Sequence, residues 1–185
     1  MDGGMSGQRN IENLALIGFM GTGKSSVGRL AAAQLHFRFV DTDEQIERGA
    51  GKSISRIFAE EGEPAFRALE AQVVEDLGRL TRCVISTGGG LGANPAHLAS
   101  LKQHALTVCL WARPDAIWRR VRYASHRPLV QGPDAEAKIQ RLLEERSPVY
   151  READVLINTE LRSLRDVTRQ VLHQFRLACP VPRKS

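Results

Sequence analysis

The sequence predicts an α/β fold with one five-stranded parallel sheet sandwiched between helices. Its 185 residues provide for one domain and little more. Five short apolar runs alternate with stretches of helical periodicity, a pattern typical of parallel sheets covered on both faces. A composition of 42% hydrophobic and 25% charged residues excludes the disordered and fibrous classes.

Each element follows from a local pattern. The apolar runs that predict strands are LALIG at 14–18, FRFV at 37–40, CVIS at 83–86, LTVCLW at 106–111 and DVLI at 154–157. Helical periodicity predicts helices near 24–35, 44–80, 95–102, 114–122, 135–146 and 163–177. We expect a flexible N-terminal extension at 1–13, a single domain at 14–178 and a C-terminal tail at 179–185.

Charge and cysteine content limit the class of partner. The chain has 21 Arg, 5 Lys and a net charge of +5, with acids interspersed among the bases. Arginine binds carboxylates and phosphates in a bidentate manner, so a small anionic substrate fits as well as a polyanion, although codon bias also explains the excess of arginine.

No stretch reaches the ~20 apolar residues of a membrane helix, and three cysteines without a CxxC pair suit a reducing compartment. We expect a cytoplasmic monomer that binds neither nucleic acid nor membrane.

The first apolar run leads into a phosphate-binding motif. Residues 18–25 read GFMGTGKS, which satisfies GxxxxGK[ST] and is followed by helical sequence. Gly21 and Gly23 allow backbone N–H groups to turn toward an anion at the start of a helix. Lys24 can reach the β- and γ-phosphates, and the Ser25 hydroxyl can bind Mg²⁺. The motif therefore predicts ATP binding.

A dinucleotide fingerprint is the competing interpretation of the same glycines. Gly21 and Gly23 have GxG spacing, and Asp43 lies about 20 residues farther on. The third glycine is missing, because Ser26 occupies its place. Binding of NAD is therefore disfavoured.

Two acids follow the second apolar run. Asp41 and Asp43 lie at the carboxyl end of a predicted strand, where open α/β sheets bind ligands. As an alternative, they only cap the helix that follows. The run CVIS ends in TGGG without an acid, whereas phosphoryl transfer requires an acid for the metal. Asp41 and Asp43 are therefore the best candidates for metal and substrate hydroxyl.

Six motifs in order resemble the shikimate kinase family. They are GFMGTGKSSVG, DTDEQIE, GKSISRIFAEEGEPAFRALE, ISTGGG, RPLV and EERSPVY, between residues 14 and about 160. The resemblance implies a P-loop kinase fold with a substrate-binding helical region after the second strand and a lid at 121–134. It also implies Mg²⁺-dependent transfer of phosphate from ATP to shikimate, in aromatic amino-acid biosynthesis.

The resemblance also assigns residues. The catalytic residues would be Lys24, Asp43 and Arg127, the last carried by the lid. Substrate would be bound by Asp43, Arg67, Gly88, Gly89, Gly90 and Arg146, with the two arginines on the carboxylate. ATP would be bound by Gly21, Thr22, Gly23, Lys24, Ser25, Ser26, Arg120, Arg127 and Arg162. Ser25 and Asp41 would hold Mg²⁺. Ser26 departs from the family, in which Thr is commoner at that position.

Two other functions compete with this one. A P-loop kinase of another small alcohol, such as gluconate or a nucleoside monophosphate, would share the fold. An acid at position 43 with two arginines suits a hydroxylated carboxylic acid better. A kinase-like sensing module in a regulator would need a DNA-reading domain, for which the residues before the first strand have no room.

Overall fold

The computed structural model describes residues 9–122 and 134–179. Its strands are β1 (Asn13–Ile17), β2 (Arg38–Asp41), β3 (Cys83–Ser86), β4 (Ala105–Trp111) and β5 (Val155–Asn158). Its α-helices are α1 (Lys24–Leu35), α2 (Thr42–Ala50), α3 (Ile54–Glu60), α4 (Gly62–Leu77), α5 (Pro95–His104), α6 (Pro114–Val121), α7 (Ala135–Tyr150) and α8 (Leu164–Ala178). A 3₁₀ turn spans Leu91–Ala93.

The strands form one parallel sheet in the order β2-β3-β1-β4-β5. Strand β1 occupies the centre and is fully buried, which explains the unbroken apolar run in its sequence. Helices α1 and α8 cover one face, where Leu14 and Leu16 point. Helices α4, α5, α6 and α7 cover the other face, where Ala15 and Ile17 point. The predicted sheet between helices is confirmed.

The helical stretch predicted near 44–80 is three helices and not one. Gly51 ends α2 with a φ of +66°, and Gly62 opens α4 with a φ of +80°. Ser53 caps α3, because its side chain accepts a hydrogen bond from the N–H of Arg56. The periodic apolar residues of these three helices, Ile46, Ile57 and Phe66, meet in a small core of their own. This subdomain rises beside the carboxyl end of β2.

Helix α7 also differs from its prediction, because it continues past Pro148 to Tyr150. A proline inside a helix removes one backbone donor. The helix is nevertheless maintained for this last half-turn, and Tyr150 is buried against the sheet. The predicted end near Arg146 was therefore one turn too early.

Ordered contacts begin before the predicted domain start. Arg9 donates hydrogen bonds to both carboxylate oxygens of Asp154, at 2.7 and 3.0 Å. Asn13 is the first residue of β1 and has no exposed surface. Its side chain donates to the carbonyl of Leu80 and accepts from the N–H of Cys83. No helix among the described residues is long and apolar enough to cross a membrane.

Candidate active site

The loop between β1 and α1 has the conformation of an anion-binding loop. Gly21 and Gly23 have φ angles of +75° and +93°, a region that residues with a Cβ rarely adopt. Gly23 directly precedes α1, so the first N–H groups of that helix and its positive dipole end border the loop. The loop therefore offers donors to a phosphate, as its sequence predicted.

Lys24 folds back over this loop from the first position of α1. The residue is 8% exposed, and its Nζ donates a hydrogen bond of 2.8 Å to the carbonyl oxygen of Phe19. The Thr22 hydroxyl donates to the same carbonyl at 2.8 Å. Because burial weakens solvent screening, the ammonium charge acts strongly on an anion that enters the loop.

Side-chain oxygens gather where β1, β2 and β3 end. The Ser25 hydroxyl donates to Asp41 Oδ2 at 2.9 Å and lies 3.2 Å from Ser86 Oγ. Asp41 Oδ1 accepts from the N–H of Asp43 at 3.1 Å and so caps α2. The capping interpretation is therefore right for one oxygen of Asp41, while the other faces Ser25. Mg²⁺ prefers such oxygen ligands and keeps several waters, so Ser25 and Asp41 fit a nucleotide-bound Mg²⁺.

The glycine loop after β3 packs on the acidic turn after β2. The Gly88 N–H donates to the buried Thr42 hydroxyl at 2.8 Å. A Cβ on Gly88 would lie 3.3 Å from Asp43 Cγ and closer still to Oδ1. Only glycine permits this approach of backbone to carboxylate. Asp43 is thus held beside the loop.

Arg67 reaches the site from α4 with two carboxylate partners. Its Nη1 donates to Glu70 at 2.6 Å and its Nη2 to Glu63 at 2.7 Å. The Glu70 side chain is 3% exposed, so its charge depends on Arg67 for compensation. Glu70 was not predicted from the sequence. The available signal was its spacing, because an acid three residues after Arg67 on one helix lies next to that arginine.

Arg146 reaches the site from α7. Its guanidinium carbon lies 5.5 Å from the centre of the Phe19 ring, within cation–π range. A Cβ on Gly89 would lie 3.6 Å from Arg146 Nη1, and a Cβ on Gly90 would lie 2.9 Å from Arg67 Nη1. The two glycines therefore leave room beside the two arginines.

One cavity of about 410 Å³ collects most of the predicted residues. Those that line it are Lys24, Ser25, Asp41, Asp43, Arg67, Gly88, Gly89, Gly90 and Arg146. The helical subdomain adds an apolar wall that includes Phe58 and Phe66, whose ring centres are 4.7 Å apart. The volume suits a small molecule, and the lining combines cations, several carboxylates and apolar surface.

Arg120 lies against the phosphate loop. Its guanidinium donates to the carbonyl oxygen of Gly21 at 3.2 Å, and to the hydroxyl and carbonyl of Thr159 at 2.9 and 2.8 Å. Thr159 follows β5 and was not predicted from the sequence. Arg120 therefore joins the phosphate loop to the turn that follows the edge strand.

Arg162 and Ser26 are not among the residues that line the cavity. The Arg162 guanidinium is hydrogen-bonded to Gln170 on α8, and the structure does not bring it to the phosphate loop. Its role as an adenine contact stays a prediction. Arg127 and most of the predicted lid lie outside the described residues. Ser26 is exposed on the first turn of α1.

Comparison with known proteins gives the family. The shikimate kinase family model matches residues 20–176. The shikimate kinase of Caldanaerobacter subterraneus is 41% identical over 165 residues, which are 89% of this chain and 96% of that protein. The shikimate kinase of Geobacter metallireducens is 41% identical over 167 residues, 90% of this chain and 93% of that protein.

Solved structures agree with the sequence relatives. The shikimate kinase of Acinetobacter baumannii, solved in complex with shikimate, has a TM-score of 0.84 and 35% identity, covering 95% of this chain and 97% of that one. A gluconokinase from Sinorhizobium meliloti has a TM-score of 0.62 and 19% identity, covering 92% of this chain and 95% of that one, and so shares the fold alone. Since the family model and relatives about 40% identical span most of its length, the chain belongs to the shikimate kinase family.

Proposed function

We propose that this shikimate kinase transfers the γ-phosphoryl group of ATP to the 3-hydroxyl of shikimate within the 410 Å³ cavity. One observation carries the proposal. The phosphate loop, with Lys24 and Ser25, opens into the same space as Asp43 and the arginines Arg67 and Arg146. A hydroxylated ring with one carboxylate complements that combination of charges.

The carboxylate of the substrate would lie between Arg67 and Arg146. Both guanidinium groups lie beside the glycines that follow β3. Because these glycines have no side chains, the substrate ring could approach their backbone closely. Arg67 already forms ion pairs with Glu63 and Glu70, so its guanidinium is oriented before substrate binds. A preorganised charged donor of this kind loses little rotamer freedom on binding.

Asp43 is proposed to act on the substrate hydroxyl. Its carboxylate would accept the hydroxyl proton while the hydroxyl oxygen forms a bond to the γ-phosphorus. The bond from that phosphorus to the bridging oxygen breaks, and the products are shikimate 3-phosphate and ADP. Lys24, with the N–H groups contributed by Gly21, Thr22, Gly23, Ser25 and Ser26, would stabilise the negative charge that shifts toward ADP.

Mg²⁺ would be held by Ser25 directly and by Asp41 at longer range. The ion would supply positive charge that offsets the negative charge of the phosphates. The hydrogen bond from Ser25 to Asp41 Oδ2 would fix the hydroxyl so that a lone pair of its oxygen stays available. Ser86, 3.2 Å from Ser25, supports this arrangement from β3.

The remaining assignments extend this proposal. Arg120 and Arg162 would contact the base end of the nucleotide, and Arg127 would reach the transferring phosphate from the lid. We expect the enzyme to be a cytoplasmic monomer. The unpaired, buried thiols of Cys83 and Cys109 are compatible with a reducing compartment.

The test is ADP release measured with shikimate, quinate and gluconate as acceptors. We expect shikimate to be the preferred acceptor, and Asp43→Asn to lower its turnover by about 10² or more. Asp115→Asn is the matched control, because Asp115 is an acid on α6 that pairs with Arg113 and Arg119. A preference for gluconate, or unchanged turnover in Asp43→Asn, would contradict the proposal.

A further inference from the structure

Tyr150 joins two elements of the acceptor site without lining the substrate cavity. The residue is 5% exposed at the end of α7, and its hydroxyl donates a hydrogen bond of 2.7 Å to the carbonyl oxygen of Gly89. We propose that Tyr150 is a positioning residue that sets the glycine loop against Arg146. This inference rests on the proposed function, in which both groups bind shikimate.

The geometry of α7 gives Tyr150 this role. Arg146 and Tyr150 are four residues apart, so their side chains lie on the same face of the helix. Gly89 approaches both, since a Cβ on it would lie 3.6 Å from Arg146 Nη1. The Tyr150 hydroxyl therefore fixes Gly89 relative to the helix that carries the arginine. If the glycine loop moved away from α7, the backbone of Gly89 would separate from the guanidinium of Arg146.

The hydroxyl remains a donor at physiological pH. Burial raises the pKa of Tyr150 to about 12, although the neighbouring Arg146 guanidinium opposes the shift. A carbonyl oxygen only accepts hydrogen bonds, so the contact to Gly89 requires the protonated phenol. This hydrogen bond is therefore available at every pH below that pKa.

Tyr150 belongs to the main hydrophobic core and also lines a second cavity. This cavity has a volume of about 470 Å³, with Phe19, Cys109 and Leu143 in its wall. Free volume beside a ring permits it to shift, because contacts are missing on that side. The hydrogen bond to Gly89 adds a directional constraint on the ring position that packing does not provide. Phe19 belongs to the same wall and also lies under Arg146, so a ring shift would be transmitted to the arginine's surroundings.

The test is Tyr150→Phe, which removes one oxygen and keeps the ring. We expect KM and the calorimetric Kd for shikimate to rise about three- to tenfold, as for loss of one hydrogen bond. KM for ATP, the Kd for ADP and kcat should stay within about twofold, because the phosphate loop and Asp43 are unaltered. The control is Ser147→Ala. Ser147 lines the same second cavity, but its hydroxyl bonds to Leu143 within α7. All its constants should match wild type.

The outcomes separate this inference from the proposed function. Tyr150→Phe with a shikimate Kd within twofold of wild type would overturn the positioning role. Equal weakening of shikimate and ADP binding, together with a lower unfolding midpoint, would also overturn it, because such a change reports general loosening. Arg146→Ala is measured alongside. If it binds shikimate as tightly as wild type, the carboxylate site itself is wrong, and not only the role of Tyr150.

Discussion

Gly88→Ala tests how closely the acceptor site is packed around Asp43. The added Cβ would lie 3.3 Å from Asp43 Cγ and nearer to Oδ1, whereas carbon contacts are optimal at about 3.5–4.0 Å. The Gly88 N–H is hydrogen-bonded to Thr42 at 2.8 Å, so the carboxylate must yield, by about 1 Å at Oδ1, the atom nearest to the added Cβ. A displacement of 1 Å in a catalytic group costs about 10²-fold in rate, or about 2.7 kcal/mol of activation free energy.

The assay is kcat/KM for shikimate at saturating ATP, with thermal unfolding measured on the same samples. Gly49→Ala is the control, because a Cβ on Gly49 in α2 meets nothing within 4 Å. That variant should keep full activity and gain stability, since alanine favours a helix over glycine by up to about 1 kcal/mol. Gly88→Ala with kcat/KM within threefold of wild type would refute the placement of Asp43 at the reacting hydroxyl.

Three further predictions concern charge. Lys24→Met should abolish turnover and keep the fold, and wild-type-like ADP release would contradict the phosphate-loop assignment. Arg146→Ala should cost about 1.5–3 kcal/mol of shikimate binding by calorimetry, with nucleotide binding unchanged, whereas the reverse pattern would reassign the residue. Burial raises the pKa of Asp154, but hydrogen bonds from Arg9 and Thr107 outweigh this and lower it to about 2. Asp154 therefore contributes about 2 kcal/mol of stability above pH 4 that disappears as the pH falls toward 2. Denaturant unfolding should show that Asp154→Asn is less stable than wild type by this amount at pH 7, and that its stability falls less as the pH is lowered toward 2. Identical curves of stability against pH for the two proteins would contradict the prediction.

The sequence predicted the elements whose signals are local. The phosphate loop needs its glycines and lysine in a fixed order, and the central strand is apolar from Leu14 to Ile17 because it is buried on both sides. The division of the stretch near 44–80 was missed, although Gly51 and Gly62 mark both breaks. The apolar period continues across the three helices because all three contribute to one small core, so periodicity alone does not show the breaks.

The supporting residues of the site could not be predicted in this way. Tyr150 and Gly89 are 61 residues apart, and Arg120 and Thr159 are 39 apart. Their contacts depend on how α7 and the edge strand pack on the sheet, which no local pattern encodes. Glu70 differs, because its position one helical turn from Arg67 makes the pair visible in the sequence.

The strand order β2-β3-β1-β4-β5 distributes the parts of the proposed site along one line, at the carboxyl ends of the strands. The acid and the glycines that we propose to face the acceptor follow β2 and β3, the phosphate loop follows β1, and the turn that contacts Arg120 follows β5. Neighbouring strands are about 4.8 Å apart, so the carboxyl ends of the five strands span about 19 Å. The proposed positions of acceptor, phosphates and base would follow one another along that line. Under the proposed assignment, acceptor choice would be determined beside β2 and β3 and by Arg146 on α7, so redesign toward another hydroxylated acid would change these positions and leave the nucleotide end intact.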